Sequence, residues 1–336
     1  MAPQFVDFNA DGHVDIFTAT FDGSPHVAYG SPEGFQVPQR IMDANGERVL
    51  LTQFWNYDSK EWDDTDRTIE SNSDGQLHCI SAVAFDWDDD GDFDLLLGDK
   101  NRGRLFRQMN EGTNMEPAFT GMNIPVLTGD AQFELDGGMT APYLVDWDTD
   151  GRTDLVCGSF GDSYGDGAGG AVYWYRNIGK IGAPQYAKPV NLIEPSAKDQ
   201  TTAMRPDSGL YMDVVDYNGD GSLDLVVGGY SHWTPERKPL TDDELKHVAD
   251  LEVQLAEALK HITELRSKVL LETKDLTKEE ESAKLKEVYS TDEYRQQMTE
   301  YVKLSQEVAK VKPTNQREAF VWLYLRDPTE NPATSR

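Results

Sequence analysis

Cysteine is scarce in this chain. There are two, Cys79 and Cys157, so no disulfide framework organises the fold. Each falls in or beside a predicted strand and reads as a small buried hydrophobe, with one bridge between them left open. Histidine is nearly as rare, with six at positions 13, 26, 78, 232, 247 and 261, none at metal-ligand spacing. Positive charge is short as well: 31 Lys and Arg face 60 Asp and Glu, a formal charge of −29. That excludes the clustered basic surface that nucleic-acid phosphates require. Long apolar runs are missing too, since Leu95–Leu97 and Phe320–Leu325 fall far short of the roughly 20 residues of a membrane helix. What remains is 38% hydrophobic and 10% aromatic over 336 residues, enough for a core and against global disorder. No secretory leader is visible, because Met1-Ala2-Pro3 runs straight into a strand-like segment. The expectation is a cytoplasmic chain, or one whose leader is removed or lies outside this sequence.

Where the acids sit is informative. Four nine-residue segments align without gaps: Asp7 to Asp15, Asp86 to Asp94, Asp146 to Asp154 and Asp216 to Asp224. Each reads D-x-[DN]-x-D-G-x-x-D and leads into an apolar strand. A hard cation such as Ca²⁺ takes six to eight oxygens from a tightly curled loop, and this pattern supplies them. Positions 1, 3 and 5 offer Asp7, Asn9 and Asp11; Asp86, Asp88 and Asp90; Asp146, Asp148 and Asp150; Asp216, Asn218 and Asp220. Glycine at position 6 permits the sharp turn. Position 7 offers a backbone carbonyl, so His13, Asp92, Arg152 and Ser222 need not be alike, and Asp15, Asp94, Asp154 and Asp224 close the shell. The closing acid at position 9 and the following strands exclude an EF-hand, whose acid comes at position 12 between helices. The bland alternative is a set of Asp/Gly turns that bind nothing; four complete copies favour about four Ca²⁺ sites. Mg²⁺ fits less well, since it demands stricter octahedral geometry and keeps its waters.

These loops resemble the FG-GAP/VCBS repeats of integrin α-chain-like β-propellers of the bacterial secreted type, over about residues 2–233 and 318–336. The segments Gly103-Arg-Leu-Phe-Arg-Gln-Met-Asn-Glu-Gly112 and Gly170-Ala-Val-Tyr-Trp-Tyr-Arg-Asn-Ile-Gly179 occupy equivalent places. Each is followed by Pro and an aromatic, Pro117/Phe119 and Pro184/Tyr186. The resemblance implies an all-β propeller of four-stranded blades, with a metal loop joining strands at one face and calcium in a structural role. It also implies an extracellular, periplasmic or envelope location. Loop intervals of 79, 60 and 70 residues, from starts at 7, 86, 146 and 216, suit such blades with ordinary loops. Tyr57 to Gly75 reads as an extended loop. At the ends, Ala2 to Asp7 matches Ala141 to Asp146, and Val321 to Arg326 matches Val172 to Arg176, so the last blade is expected to lack its outer strands.

From Leu240 to Lys312 there is no Gly or Pro, although the chain holds 28 and 16 of them. Glu, Lys, Leu and Ala recur there with helical period. Thr241-Asp-Asp-Glu244 and Thr277-Lys-Glu-Glu280 are capping boxes. The expectation is three segments: propeller blades over 1–239, an inserted coiled-coil-like helical hairpin over 240–312, and a returning strand of the last blade over 313–336. The hairpin should turn near Thr273–Leu276 and break around Ser290–Asp292. It interrupts the fourth repeat between its first and second strands and projects as an arm for docking or self-assembly, or serves as a self-packed spacer.

Catalytic patterns are weak. Gly165 to Gly170 satisfies G-x-G-x-x-G, but a strand follows where a dinucleotide site needs a helix. Gly161-Asp-Ser163 lacks the strand–turn–helix setting of an esterase nucleophile. The reading is a non-catalytic calcium-binding propeller for protein or cell-surface interaction. The alternatives are a polysaccharide-lyase-like enzyme on a propeller, or a lectin-like polysaccharide binder using tryptophans such as Trp55, Trp62, Trp174 and Trp233, which read more simply as core. A lyase acting on acidic polysaccharide needs clustered Arg, Lys and His, in which this chain is poor.

Overall fold

The computed structural model describes residues 3–57, 59–64, 77–138, 141–161, 168–197, 200–236, 239–272, 278–312 and 315–327. One compact unit covers Met1–Asp199, Ala203–His232 and Arg317–Arg336; the other covers Gln200–Thr202 and Trp233–Gln316.

The first unit is built of antiparallel β-sheets. The first sheet runs β1 (Gln4–Val6), β2 (Asp15–Ala19), β3 (Pro25–Ala28), β4 (Gln39–Arg40), side by side in chain order. A hairpin of β5 (Gln53–Asn56) and β6 (Glu61–Asp64) follows. The rest of the extended loop read over 57–75 lies outside the described residues. The second sheet is β7 (Cys79–Phe85), β8 (Asp94–Asp99), β9 (Leu105–Gln108) and β10 (Ile124–Pro125), trailed by the short pair β11 (Leu127–Thr128) and β12 (Ala131–Gln132). The third is β13 (Ala141–Val145), β14 (Asp154–Gly158), β15 (Val172–Tyr175) and β16 (Val190–Ile193). The fourth has three strands among the described residues: β17 (Ser208–Val215), β18 (Asp224–Trp233) and β19 (Gln316–Tyr324).

The register repeats. Val6 pairs with Asp15, Phe85 with Asp94, Val145 with Asp154 and Val215 with Asp224. In every sheet, then, the residue before a loop faces the loop's ninth residue, and the aligned pattern of the sequence becomes one hairpin repeated four times. Because β17 belongs to the same sheet as β18, the helical insertion falls between the second and third strands of its sheet. The sequence reading placed it one strand earlier because it counted from the loop.

Sheets pack face to face in chain order through three apolar clusters. Phe17, Val27, Leu51, Cys79, Leu95 and Phe106 are among the residues joining the first sheet to the second. Leu96, Leu105, Phe133, Leu155, Cys157 and Tyr175 join the second to the third. Val156, Trp174, Leu210, Met212 and Val227 join the third to the fourth. Strands β8 and β14, apolar apart from their terminal aspartates and a glycine, are buried along their whole length, as expected of strands covered on both faces. Cys79 and Cys157 are free thiols in different clusters, and burial pushes both well above the ordinary thiol range, which leaves them inert. The outer face of the fourth sheet is less covered, with Val215, Val321, Leu323 and Leu325 exposed.

The second unit contains α1 (Asp242–Glu272), α2 (Lys278–Ser290) and α3 (Asp292–Val311). Thr241 and Glu244 form the capping box: Thr241 N–H donates to Glu244 Oε2 at 2.8 Å and Glu244 N–H to Thr241 Oγ1 at 3.3 Å. The 31 residues of α1 span about 46 Å. Thr291 separates α2 from α3 and caps α3 by accepting from Tyr294 N–H. Leu251, Leu255 and Ala258 of α1 meet Tyr301, Leu304 and Val308 of α3, a narrow seam at three- and four-residue spacing. The turn expected at Thr273–Leu276 and the breaker Pro313 lie outside the described residues, as do Ser163 and the first half of the Gly165–Gly170 segment.

Candidate metal centre

Each loop is a nine-residue hairpin held by its own acids. The carboxylate at position 1 receives the backbone N–H groups of positions 5 and 6, and in the fourth loop that of Gly219 at position 4 as well. Asp7 takes Asp11 and Gly12 at 3.0 and 2.9 Å, and Asp86 takes Asp90 and Gly91 at 3.2 and 3.0 Å. Asp146 takes Asp150 and Gly151 at 3.0 and 2.9 Å, and Asp216 takes Asp220 and Gly221 at 3.0 Å each. Position 5 in turn accepts from position 7, where His13, Asp92, Arg152 and Ser222 donate at 2.8–3.1 Å. The glycine at position 6 has φ between +86° and +98° in all four loops, and a Cβ added there would touch nothing within 4 Å. Glycine is required there for backbone conformation and not for space.

The acid at position 9 is buried. Asp15, Asp94, Asp154 and Asp224 are 0–2% exposed. One oxygen of each accepts the N–H of position 2, from Phe8, Trp87, Trp147 and Tyr217 at 2.9–3.3 Å. The other accepts an N–H from just beyond the sheet's third strand, at Gly30, Asn110, Asn177 and Arg326, over 2.6–2.8 Å. This residue is therefore a staple between loop and sheet, and in the second and third loops one of its oxygens also lies near those of positions 1 and 3. Position 2 anchors the loop from the other side. Phe8, Trp87 and Trp147 are buried in the three successive clusters, whereas Tyr217 of the fourth loop is 65% exposed.

The loops divide into two kinds. One carboxylate oxygen from each of Asp86, Asp88 and Asp94 lies within 4.8 Å of the others, and the same holds for Asp146, Asp148 and Asp154. In the second loop burial and the neighbouring acids raise Asp88 and Asp92 above the usual carboxylate range. Burial pushes Asp94 and Asp154 up to about 6. Such crowding is the electrostatic mark of a site shaped for positive charge. In the first and fourth loops the amides of Asn9 and Asn218 donate to Asp11 and Asp220 at 3.0 and 2.8 Å. Asp11 is lowered by the His13 N–H and Asn9, and Asp220 by Asn218 and the Ser222 N–H.

Asn110 and Asn177 escaped the sequence reading. Asn110 Oδ1 accepts from Gly112 and Ala118 N–H, and Asn177 Oδ1 from Gly179 and Gln185 N–H. Each ties the next turn to the nine-residue loop. The recurrence of Asn-x-Gly in the two aligned segments was the available signal. Trp174, read as core, is 3% exposed and donates its indole N–H to Asp154 at 2.9 Å. Arg152, read as a backbone-carbonyl donor, also sends its guanidinium to Asp150 and, at 2.8 Å, to the Asn177 carbonyl.

Comparison with curated proteins and with solved structures finds no match to this chain. Residues 86–157, from the first position of the second loop to the fourth residue of β14, match the family described as FG-GAP-like repeat. The part of the chain that carries the two three-acid clusters therefore has the sequence character of an FG-GAP-like repeat.

Proposed function

We propose that the chain is a calcium-stabilised β-propeller of four-stranded blades that works without catalysis, as an interaction scaffold in an extracellular, periplasmic or envelope setting. The observation that carries this reading is one hydrogen-bonded loop repeated at the same register of four successive sheets, with three carboxylates gathered in the second. There Asp86, Asp88 and Asp94 would hold the ion, with Asp90 the next oxygen in the turn. The donor set is all oxygen, as a hard cation prefers. The ion would supply charge compensation for six acids within nine residues. The FG-GAP-like match supports the propeller arrangement, as does the packing of each sheet on the next.

The helical unit is the proposed docking or assembly element. Its apolar seam is used between α1 and α3, so a partner would meet mainly the charged outer faces of the hairpin. No helix among the described residues is long and apolar enough to cross a membrane.

Metal that binds only the folded loops stabilises the fold by mass action, about 4 kcal/mol per site at a thousand times its Kd. Melting curves in chelator and in millimolar Ca²⁺, together with metal analysis of the purified protein, test the reading. A rise of many degrees with calcium is expected. Identical curves and no bound metal would refute it.

A further inference from the structure

The third loop differs from the other three in one respect. Arg176, the residue after β15, reaches back into it: Nε lies 2.6 Å from Asp148 Oδ2 and Nη2 lies 3.0 Å from Asp150 Oδ2. Those acids are positions 3 and 5, two of the ligands a cation would need. Arg152 adds a second guanidinium on Asp150. Arg326 stacks on Trp147 with its guanidinium carbon 5.0 Å from the ring and donates to the Trp147 carbonyl at 2.8 Å. The Asp148 side chain is 1% exposed and faces the Arg176 guanidinium, whose charge favours its ionised form against burial and the neighbouring Asp150 and Asp146.

Among the described residues, no Arg or Lys forms an ion pair with the acids of the other three loops. The residue equivalent to Arg176 is the one preceding the N–H that caps the closing acid: Tyr29, Met109 and Leu325. The second loop carries six acids and no arginine within its nine residues. The third carries four acids, two of which are matched by Arg152 and Arg176. A guanidinium held against positions 3 and 5 offers both carboxylates fixed positive charge, and Asp150 an N–H donor as well; the charge compensation is the service a divalent ion would give.

We propose that Arg176 is the resident cation of the third loop, so that this loop keeps its shape without a divalent ion while the second loop requires one. The inference rests on the calcium reading above and would reduce its expected count of about four sites by one.

Calcium stoichiometry of the full chain, by equilibrium dialysis and calorimetric titration, tests it with three variants. Asp88→Asn should remove one bound ion and Asp148→Asn should remove none. Arg176→Met, which installs the residue of the second loop, should add one ion and make thermal stability more calcium-dependent. Terbium luminescence sensitised by Trp147 should rise in Arg176→Met and not in Arg176→Lys. The proposal is overturned if Asp148→Asn lowers the stoichiometry by one, or if folded Arg176→Met gains no ion. Should Arg176→Met fold only with calcium, that dependence is itself the expected gain; should it not fold at all, Asp148→Asn decides alone. A wild type that binds no calcium at any loop refutes the calcium reading instead, and the two failures are distinct.

Discussion

Neutralising Asp88 should change stability in opposite directions with and without calcium. One of its oxygens lies within 4.8 Å of oxygens of Asp86 and Asp94, and the residue is exposed. Two like unit charges at that separation repel by about 0.9 kcal/mol at the dielectric of water and about 3.5 kcal/mol at an effective value of 20. Exposure and salt favour the screened figure, so two neighbours contribute roughly 1–2 kcal/mol of strain to the ion-free loop. Asp88→Asn keeps the shape and removes that strain. In chelator the variant should therefore melt a few degrees above wild type. With calcium the sign reverses, because a ligand is lost. A hundredfold weaker site, at a concentration a thousand times the wild-type Kd, lowers mass-action stabilisation from about 4.1 to about 1.4 kcal/mol. Differential scanning calorimetry of both proteins in both buffers reads the crossing directly. A variant less stable in both buffers, or indistinguishable in both, would refute the argument. In Asp148→Asn no crossing is expected, since its charge is matched by Arg176.

Three further outcomes follow from particular residues. Replacing 240–312 with a short Gly/Ser linker should leave a folded calcium-binding protein with the same loop stoichiometry but without self-association or partner capture; identical light scattering and pull-downs for both forms would make the arm a spacer. Gly91→Ala should cost about 1 kcal/mol in urea unfolding, since φ is +98° with open space around it and the left-handed penalty is partly offset in the unfolded chain; Gly30→Ala should cost far more, its Cβ landing 2.2 Å from the Val14 carbonyl. Burial, with Lys100 beside it, pushes His78 down to about 4, so the unfolded chain takes up a proton below about 6.5 that the folded chain refuses; stability should fall by up to about 3 kcal/mol between those pH values, and His78→Gln should show a correspondingly flatter acid limb.

What could be read from the chain depended on how far apart the interacting residues lie. The loops were legible because their interactions close within nine residues: position 1 holds positions 5 and 6, and position 5 holds position 7. The flanking strands followed from the same alignment, since a hairpin fixes its own register. The helical insertion was legible from the loss of glycine and proline and from caps three residues long. By contrast, the staple on each closing acid joins it to a backbone N–H beyond the next strands, 15 residues away at Gly30 and 102 at Arg326. Nothing local to either residue announces that pairing. Arg176 shows the same limit more sharply. The aligned segments set it opposite Met109, so the difference was visible, but its meaning depends on β14 pairing with β15 and returning the side chain to a loop 26 residues earlier. Four copies of a motif therefore specify four copies of a backbone shape. Whether each shape meets its charge with an ion or with an arginine is decided by a residue outside the motif.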